Sequence, residues 1–327
     1  MDKVRYVRFV ALVAVLFATR LSIAADSELL NFERGPYEVG IVESLTLNDS
    51  VQDRDVPLRL LYPEAEGPFP LVVFSTGAFC FPQLYDLITS HWVSHGYVVV
   101  EPNHLDSPNN ASKATPDQYP DFFPSRVRDI SFVVDDIDAI TAAANIPGRV
   151  DSQRVAAAGH SFGAIISMVK TGLILKDEFA DTWPSTSDDR FQAAVLLSAP
   201  GPGMDELTAD AYSGLHLPLI ATGGTNDVGR VDPGDYSPAE WRTLAFTLSP
   251  EGDKYSVITE GSDHYMGGLI CNSTRGGDPD PESVAIVAAM TTTFLDAYLK
   301  DDEQAMGFLK TADVSVITDG QARSKHK

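Results

Sequence analysis

The chain has 327 residues, 44% hydrophobic and 21% charged, with a formal net charge of −22. That length suffices to bury a core of its own. A surface so acidic disfavours nucleic acid and anionic membranes as partners.

The chain opens on a targeting pattern. Lys3, Arg5 and Arg8 precede an 11-residue apolar run, Phe9 to Thr19, and Ser22 and Ala24 take the small-residue cleavage positions in "RLSIAAD". A membrane-spanning helix needs about 20 apolar residues. Residues 1–25 therefore read as a cleaved signal peptide of a secreted or periplasmic protein, with no stable membrane insertion. Its removal takes off four positive charges and one negative, so the net charge moves from −22 to −25. Export implies an oxidising compartment, in which the two cysteines, Cys80 and Cys271, can pair.

From residue 37 strand-like and helix-like stretches alternate. "YEVGIVESLTL" and "VPLRLLYP" read as an antiparallel opening pair. "PLVVFST" is a short continuous apolar run, as expected of a strand buried on both faces. "QLYDLITSHWVSHG" has apolar residues at helical spacing and stops at Gly96. "YVVVEPNH" is a strand, and residues 105–124 form a polar loop. "SRVRDISFVVDDIDAITAAAN" reads as one helix capped by Ser125. "RVAAAG" is a strand and "GAIISMVKTGLIL" a helix. "FQAAVLLSAP", "LPLIATGG" and "KYSVITEG" are further strands, with "WRTLAFTL" a short helix before the last. "SVAIVAAMTTTFLDAYLK" is a final helix opened by Asp280 and Pro281.

This order predicts an α/β fold with a mostly parallel sheet. One catalytic domain spans residues 26–300, and residues 301–327 read as a polar peripheral tail. About 15 residues separate "FQAAVLLSAP" from "LPLIATGG", too few for a multi-helix lid.

The chemistry centres on "VAAAGHSFGAIIS", a strand that runs into a Gly-x-Ser-x-Gly pentad. In such a sheet reactive groups sit beyond the carboxyl ends of the strands. A serine on the strand-to-helix turn has close neighbours on both sides, and Gly159 and Gly163 give them room. Ser161 is thus the candidate nucleophile. It needs a base, and the base an orienting acid, in the chain order Ser, Asp or Glu, His.

Asp227 follows the strand "LPLIATGG", and His264 follows the next strand. Asp232 and Asp263 are rivals placed less well at a strand end. Of the seven histidines only His264 and His326 follow Asp227, and His326 is in the tail. His160 reads as a packing residue, His91 and His95 as helix surface, and His104 as a residue that borders the site or packs. The backbone N–H groups of Phe162 and Ala78 are the candidate oxyanion donors, with Gly77 letting the Ala78 turn approach. Cys80 lies two residues after Ala78 and Cys271 seven after His264, so a disulfide between them would brace both loops.

"GHSFGA", "VVFSTGAF" and "RVRDISFVVDDID" resemble the secreted α/β-hydrolases grouped with platelet-activating-factor acetylhydrolases and predicted dienelactone hydrolases. "GPYEVGIVESLTLNDSVQDRDVPLRLLYP" resembles the opening strands of the same bacterial group, so the likeness covers roughly residues 35–300. It implies an α/β-hydrolase fold and ester hydrolysis without a cofactor, with Ser161 as nucleophile, His264 as base, and Ala78 and Phe162 as oxyanion donors. Dienelactone hydrolases use a cysteine nucleophile where this chain has serine. Acetylhydrolases of the mammalian type place the acid one strand earlier, where this chain reads "SAPGPG". Asp227 is closer to the cutinase-like arrangement, although polyester hydrolases of that kind carry a tryptophan where this chain has Gly203–Met204.

The leading reading is a monomeric serine esterase that forms an acyl-enzyme and acts, like an acetylhydrolase or a lipase, on short-chain or soluble esters. The alternatives are a cutinase-like polyester hydrolase and a non-catalytic binding protein on a hydrolase scaffold. The acidic runs "NDSVQDRD" and "GGDPDPE" lack metal-site spacing and read as solvated loops, so no metal is expected.

Overall fold

The computed structural model describes residues 30, 32–175, 186–203, 207–229, 233–272 and 274–327. The stretch read as a signal peptide, Met204 and the rival acid Asp232 lie outside the described residues. Among these residues the sheet has nine strands, in the order β1-β2-β4-β3-β5-β6-β7-β8-β9. They are β1 (Val39–Asp49), β2 (Arg54–Pro63), β3 (Phe69–Ser75), β4 (Val98–Pro102), β5 (Val150–His160), β6 (Phe191–Leu197), β7 (Leu219–Gly224), β8 (Lys254–Thr259) and β9 (Ala322–His326). β1 and β2 are the antiparallel opening pair, β2 also runs antiparallel to β4, and β9 closes the other edge antiparallel to β8. The strands from β4 through β3, β5, β6 and β7 to β8 are parallel. β5, which leads into Ser161, is the middle strand.

All seven residues of β3 are buried, as its unbroken apolar run requires. Its side chains alternate between two cores. Val72 and Phe74 join one with Trp92 and Phe294, whereas Leu71 and Val73 join the other with Ile130 and Met168. The first core is covered by α1 (Asp86–Ser94), whose end is marked by Gly96 at φ +92°, a left-handed position that suits glycine. Trp92 is fully buried there and donates its indole N–H to Thr291 Oγ1 at 2.9 Å. The second core is covered by α2 (Phe122–Asp135), α3 (Ile137–Ala143) and α4 (Phe162–Lys170).

Four sequence expectations need correction. Ser125 does not cap a helix. A 3-10 turn, Pro116–Asp121, is opened by a capping box between Thr115 and Gln118 and runs directly into α2, so Ser125 sits buried inside the helix. The same stretch is also two helices, parted at Asp136. "WRTLAFTL" likewise divides into the end of α5 (Pro238–Arg242) and α6 (Leu244–Leu248), parted at Thr243.

Residues 301–327 are not a peripheral tail. After α7 (Pro281–Leu299), Asp302 caps α8 (Glu303–Thr311), Asp313 caps α9 (Val314–Ile317), and β9 adds an edge to the sheet. Ala305, Phe308 and Leu309, at helical spacing, enter the first core with Val314 and Ala322. The strand "ARSKH" is polar because it is an edge, where lysine and arginine discourage further pairing.

Between β6 and β7 the described residues carry only a 3-10 turn, Ala209–Gly214, and no multi-helix lid.

Candidate active site

Ser161 stands between the end of β5 and the start of α4 with φ +54° and ψ −117°, a conformation rare for a side chain bearing a Cβ. Its N–H is tied to Leu197 O at 2.9 Å. The pentad glycines answer to close contact. A Cβ on Gly159 would run into the backbone of Gly163, and one on Gly163 into the Ser75 carbonyl. Both neighbours are backbone and cannot yield.

The Ser161 hydroxyl lies 2.9 Å from His264 Nε2, and His264 Nδ1 lies 2.8 Å from Asp227 Oδ1. A carboxylate only accepts, so Nδ1 carries the proton, and Nε2 is left to accept from the serine. Asp227 is on the turn after β7 and fully buried. Burial pushes its carboxyl up, but the hydrogen bond and charge of His264 and the charge of Arg242 outweigh this and hold it below the usual carboxylate range. Asp263 takes no part in this line. Its carboxylate accepts the N–H groups of Tyr265, Gly267 and Gly277 and shapes the loop that carries His264.

The turn after β3 has one N–H to spare. Gly77 N–H goes to Tyr85 Oη at 2.9 Å, Phe79 N–H to Asp106 Oδ2 at 2.9 Å, and Cys80 N–H to Gly77 O at 3.2 Å. Ala78 N–H donates to no described residue, and Phe162 N–H, at the first position of α4, has none within its helix. Both residues line one cleft of about 650 Å³ with Ser161, His264, Phe79 and Val228. Its exposed lining is mostly apolar.

Several residues that frame this site were not singled out from sequence. Arg126 and Asp106 form a fully buried fork beneath the Ala78 turn, Nε to Oδ1 and Nη2 to Oδ2, each 2.8 Å. Arg126 also donates to the carbonyls of Thr76 and Gly77 at 2.5 and 3.0 Å. Burial pushes Asp106 up, and the charge and hydrogen bonds of Arg126 with the Phe79 N–H hold it below its ordinary value. A signal existed, because Arg126 falls between Phe122 and Ile130 at four-residue spacing on an otherwise apolar helix face. Tyr85 is a second omission, and Arg242, which donates to Asp227 Oδ1 at 2.8 Å, a third.

His160 does more than pack. Its Nε2–H donates to the His264 carbonyl at 3.0 Å, so Nδ1 accepts from Tyr85 Oη at 3.0 Å. Burial and the neighbouring His264 hold His160 well below the usual imidazole range, so it stays neutral. The chain Gly77–Tyr85–His160–His264 thereby links the two loops that face each other across the cleft. A Cβ on Gly77 would lie 3.0 Å from His160 Nδ1, 3.1 Å from Tyr85 Oη and 3.2 Å from Cys271 Sγ. Cys80 and Cys271 form a disulfide that joins the same two loops covalently.

His104 does not border the cleft. It is buried, with Nε2 2.9 Å from Ser75 Oγ and Nδ1 2.8 Å from Asp129 Oδ2. This is a second Ser-His-Asp line, but every member is sealed from solvent and no substrate can reach it. Asp129 is further paired with Arg54, and Arg126 approaches Ser75 Oγ at 3.4 Å, so the line supports the floor of the Ala78 turn. His326 lies on β9, and His91 and His95 belong to the end of α1, partly buried rather than fully exposed.

The family model described as Chlorophyllase matches residues 28–169. The chain has the α/β-hydrolase fold. Within that fold the matched stretch holds β1 to β5, the Ala78 turn and Ser161, and it ends before Asp227 and His264. The match supports a hydrolase of this fold, and comparison with curated proteins gives no significant match.

Proposed function

We propose that the protein is a serine carboxylic-ester hydrolase of the secreted group that includes platelet-activating-factor acetylhydrolases and predicted dienelactone hydrolases. The observation that carries this reading is the unbroken line from Ser161 Oγ through His264 to Asp227, beside a cleft that Ser161 and His264 line together with Ala78 and Phe162. In this reading His264 takes the serine proton as Ser161 attacks the ester carbonyl. Ala78 and Phe162 stabilise the oxyanion, and His264 returns the proton to the leaving alcohol. Water then hydrolyses the acyl-enzyme by the same route. No step calls on a metal or cofactor.

The cleft, with its mostly apolar lining, supports a short acyl chain as the group that Ser161 takes up. The N-terminal pattern and the disulfide support export, although the pattern itself lies outside the described residues. The family name points to chlorophyll esters, but the match stops short of two of the three reacting residues, so the substrate is left to experiment.

Phe79 (58% exposed) and Val228 (69%) flank the cleft, and they favour a second reading, a polyester chain lying across the opening. A p-nitrophenyl ester panel from acetate to palmitate, run beside a chlorophyll ester and a polyester film, tests both. The first reading predicts the highest kcat/KM at acetate to butyrate. Absence of turnover on every ester would refute it.

A further inference from the structure

Arg242 makes the acid of the site unusual. Asp227 Oδ1 accepts two charged or chargeable donors at once, His264 Nδ1 at 2.8 Å and Arg242 Nε at 2.8 Å. The guanidinium is itself buried. Its stem lies over β7, where a Cβ on Gly223 would come within 2.8 Å of Arg242 Cβ, and its head stacks on Trp241 at 4.7 Å. Nη1 reaches Ser198 O at 3.4 Å. The position is therefore fixed.

In a Ser-His-Asp line the carboxylate favours the protonated imidazole, because opposite charges attract. A guanidinium on the same oxygen satisfies that carboxylate and repels an imidazolium. The remaining groups that face His264 do not oppose this. His160, whose ring centre is 4.7 Å away, is neutral. Tyr265 packs edge-on at 5.0 Å. Asp263, next in the chain, is taken up by three backbone N–H groups. Arg275 lines the cleft and adds positive charge. Against them stands the chain's negative net charge of −22, whose long-range field favours cations over neutral groups in general.

We propose that Arg242, acting through Asp227, sets the acid limit of turnover at this site, extending activity to lower pH than the same site would reach without that buried charge. Arg242 is a positioning residue that need not touch the ester, and its role rests on the esterase reading of the site.

The test compares kcat/KM between pH 4 and 9 for wild type, Arg242→Gln and Arg242→Lys on a p-nitrophenyl ester. Fluorophosphonate labelling of each protein is measured at the alkaline end. Loss of the charge moves the acid limb of the Gln variant up by about one pH unit, the order expected of a close buried charge. The Lys variant keeps its limb near the wild-type position. A Gln limb that stays in place while turnover falls equally at all pH values shows a merely structural role and overturns the proposal. So does an equal shift in both variants. If Arg242→Gln does not fold, Arg242→Met, which keeps an apolar stem over Trp241, replaces it. Failure of both to fold also assigns Arg242 to structure and overturns the proposal. Wild type that is never labelled refutes the esterase reading instead, so the two failures are distinguishable.

Discussion

Arg126→Lys tests whether the buried fork beneath the Ala78 turn is there for turnover as well as for stability. The guanidinium spans both oxygens of Asp106 and the carbonyls of Thr76 and Gly77. An ammonium keeps the charge but gathers its donors at one point, so it cannot serve Asp106 and both carbonyls. At least two charge-assisted hydrogen bonds are lost, at about 1.5–3 kcal/mol each. The expected cost is therefore roughly 3–6 kcal/mol, within the ~5–15 kcal/mol total of a typical domain. The variant should fold, with a lowered urea midpoint. The turn that carries Ala78 then drifts. Deleting an oxyanion donor costs about 10²–10³ in kcat, and displacing one should cost ~10–100-fold, with KM nearly unchanged because the bond forms only in the transition state. The assay is urea unfolding beside kcat and KM on p-nitrophenyl butyrate. A variant that loses the stability but keeps wild-type kcat would show that the fork holds the fold and not the donor.

Other outcomes follow from the same geometry. Reduction of Cys80–Cys271 should lower both the melting temperature and kcat, since the bond closes a 191-residue separation between the two loops that flank the cleft. The chain-entropy limit for so long a loop is ~5 kcal/mol, and unchanged kcat after complete reduction would separate the bond from the site. Burial pushes Glu101 up to about 8 against the pull of Arg59. The folded state therefore holds a proton that the unfolded chain releases near its ordinary value. That contribution to stability is complete below the unfolded value and is lost as pH rises through about 8. Glu101→Gln should remove this decline, so unfolding free energies from pH 5 to 9 that fall as steeply in the variant as in wild type would contradict the assignment. Asp106 is the opposite case. Its carboxyl is held low, so its contribution is present above the ordinary carboxylate range and is lost as pH falls through its lowered value. Asp106→Asn should flatten acid unfolding, and an unchanged acid midpoint would count against the fork as its cause.

What could be read from the sequence was whatever has a periodic or local cause. The buried run of β3, the glycines around Ser161 and the strand-end positions of Asp227 and His264 each follow from a rule that acts over a few residues. The start of α2 escapes the sequence rules because two prolines and a Thr-Gln box build a 3-10 turn that passes into the helix without a break. Residues 301–327 read as a tail because an edge strand is polar by necessity and α8 buries just Ala305, Phe308 and Leu309, with Met306 half-buried beside them. The partners of Arg126, Tyr85, His160 and Arg242 are spread from residue 75 to residue 264, and no spacing rule joins them. Arg126 alone left a trace, a charge on an apolar helix face. The buried Ser75–His104–Asp129 line gives the converse lesson, because the residue types and distances of a triad serve structure when solvent is shut out.

The central claim is that Ser161 is a nucleophile activated by His264 and Asp227. The most direct test is labelling of purified wild type and Ser161→Ala by a fluorophosphonate, with the adduct located by peptide mass spectrometry. The account predicts one stoichiometric adduct on Ser161 in wild type and none in Ser161→Ala, whose unfolding curve stays close to wild type while turnover falls on the order of 10⁶-fold. An adduct on another serine, or catalysis that survives in Ser161→Ala, would contradict it.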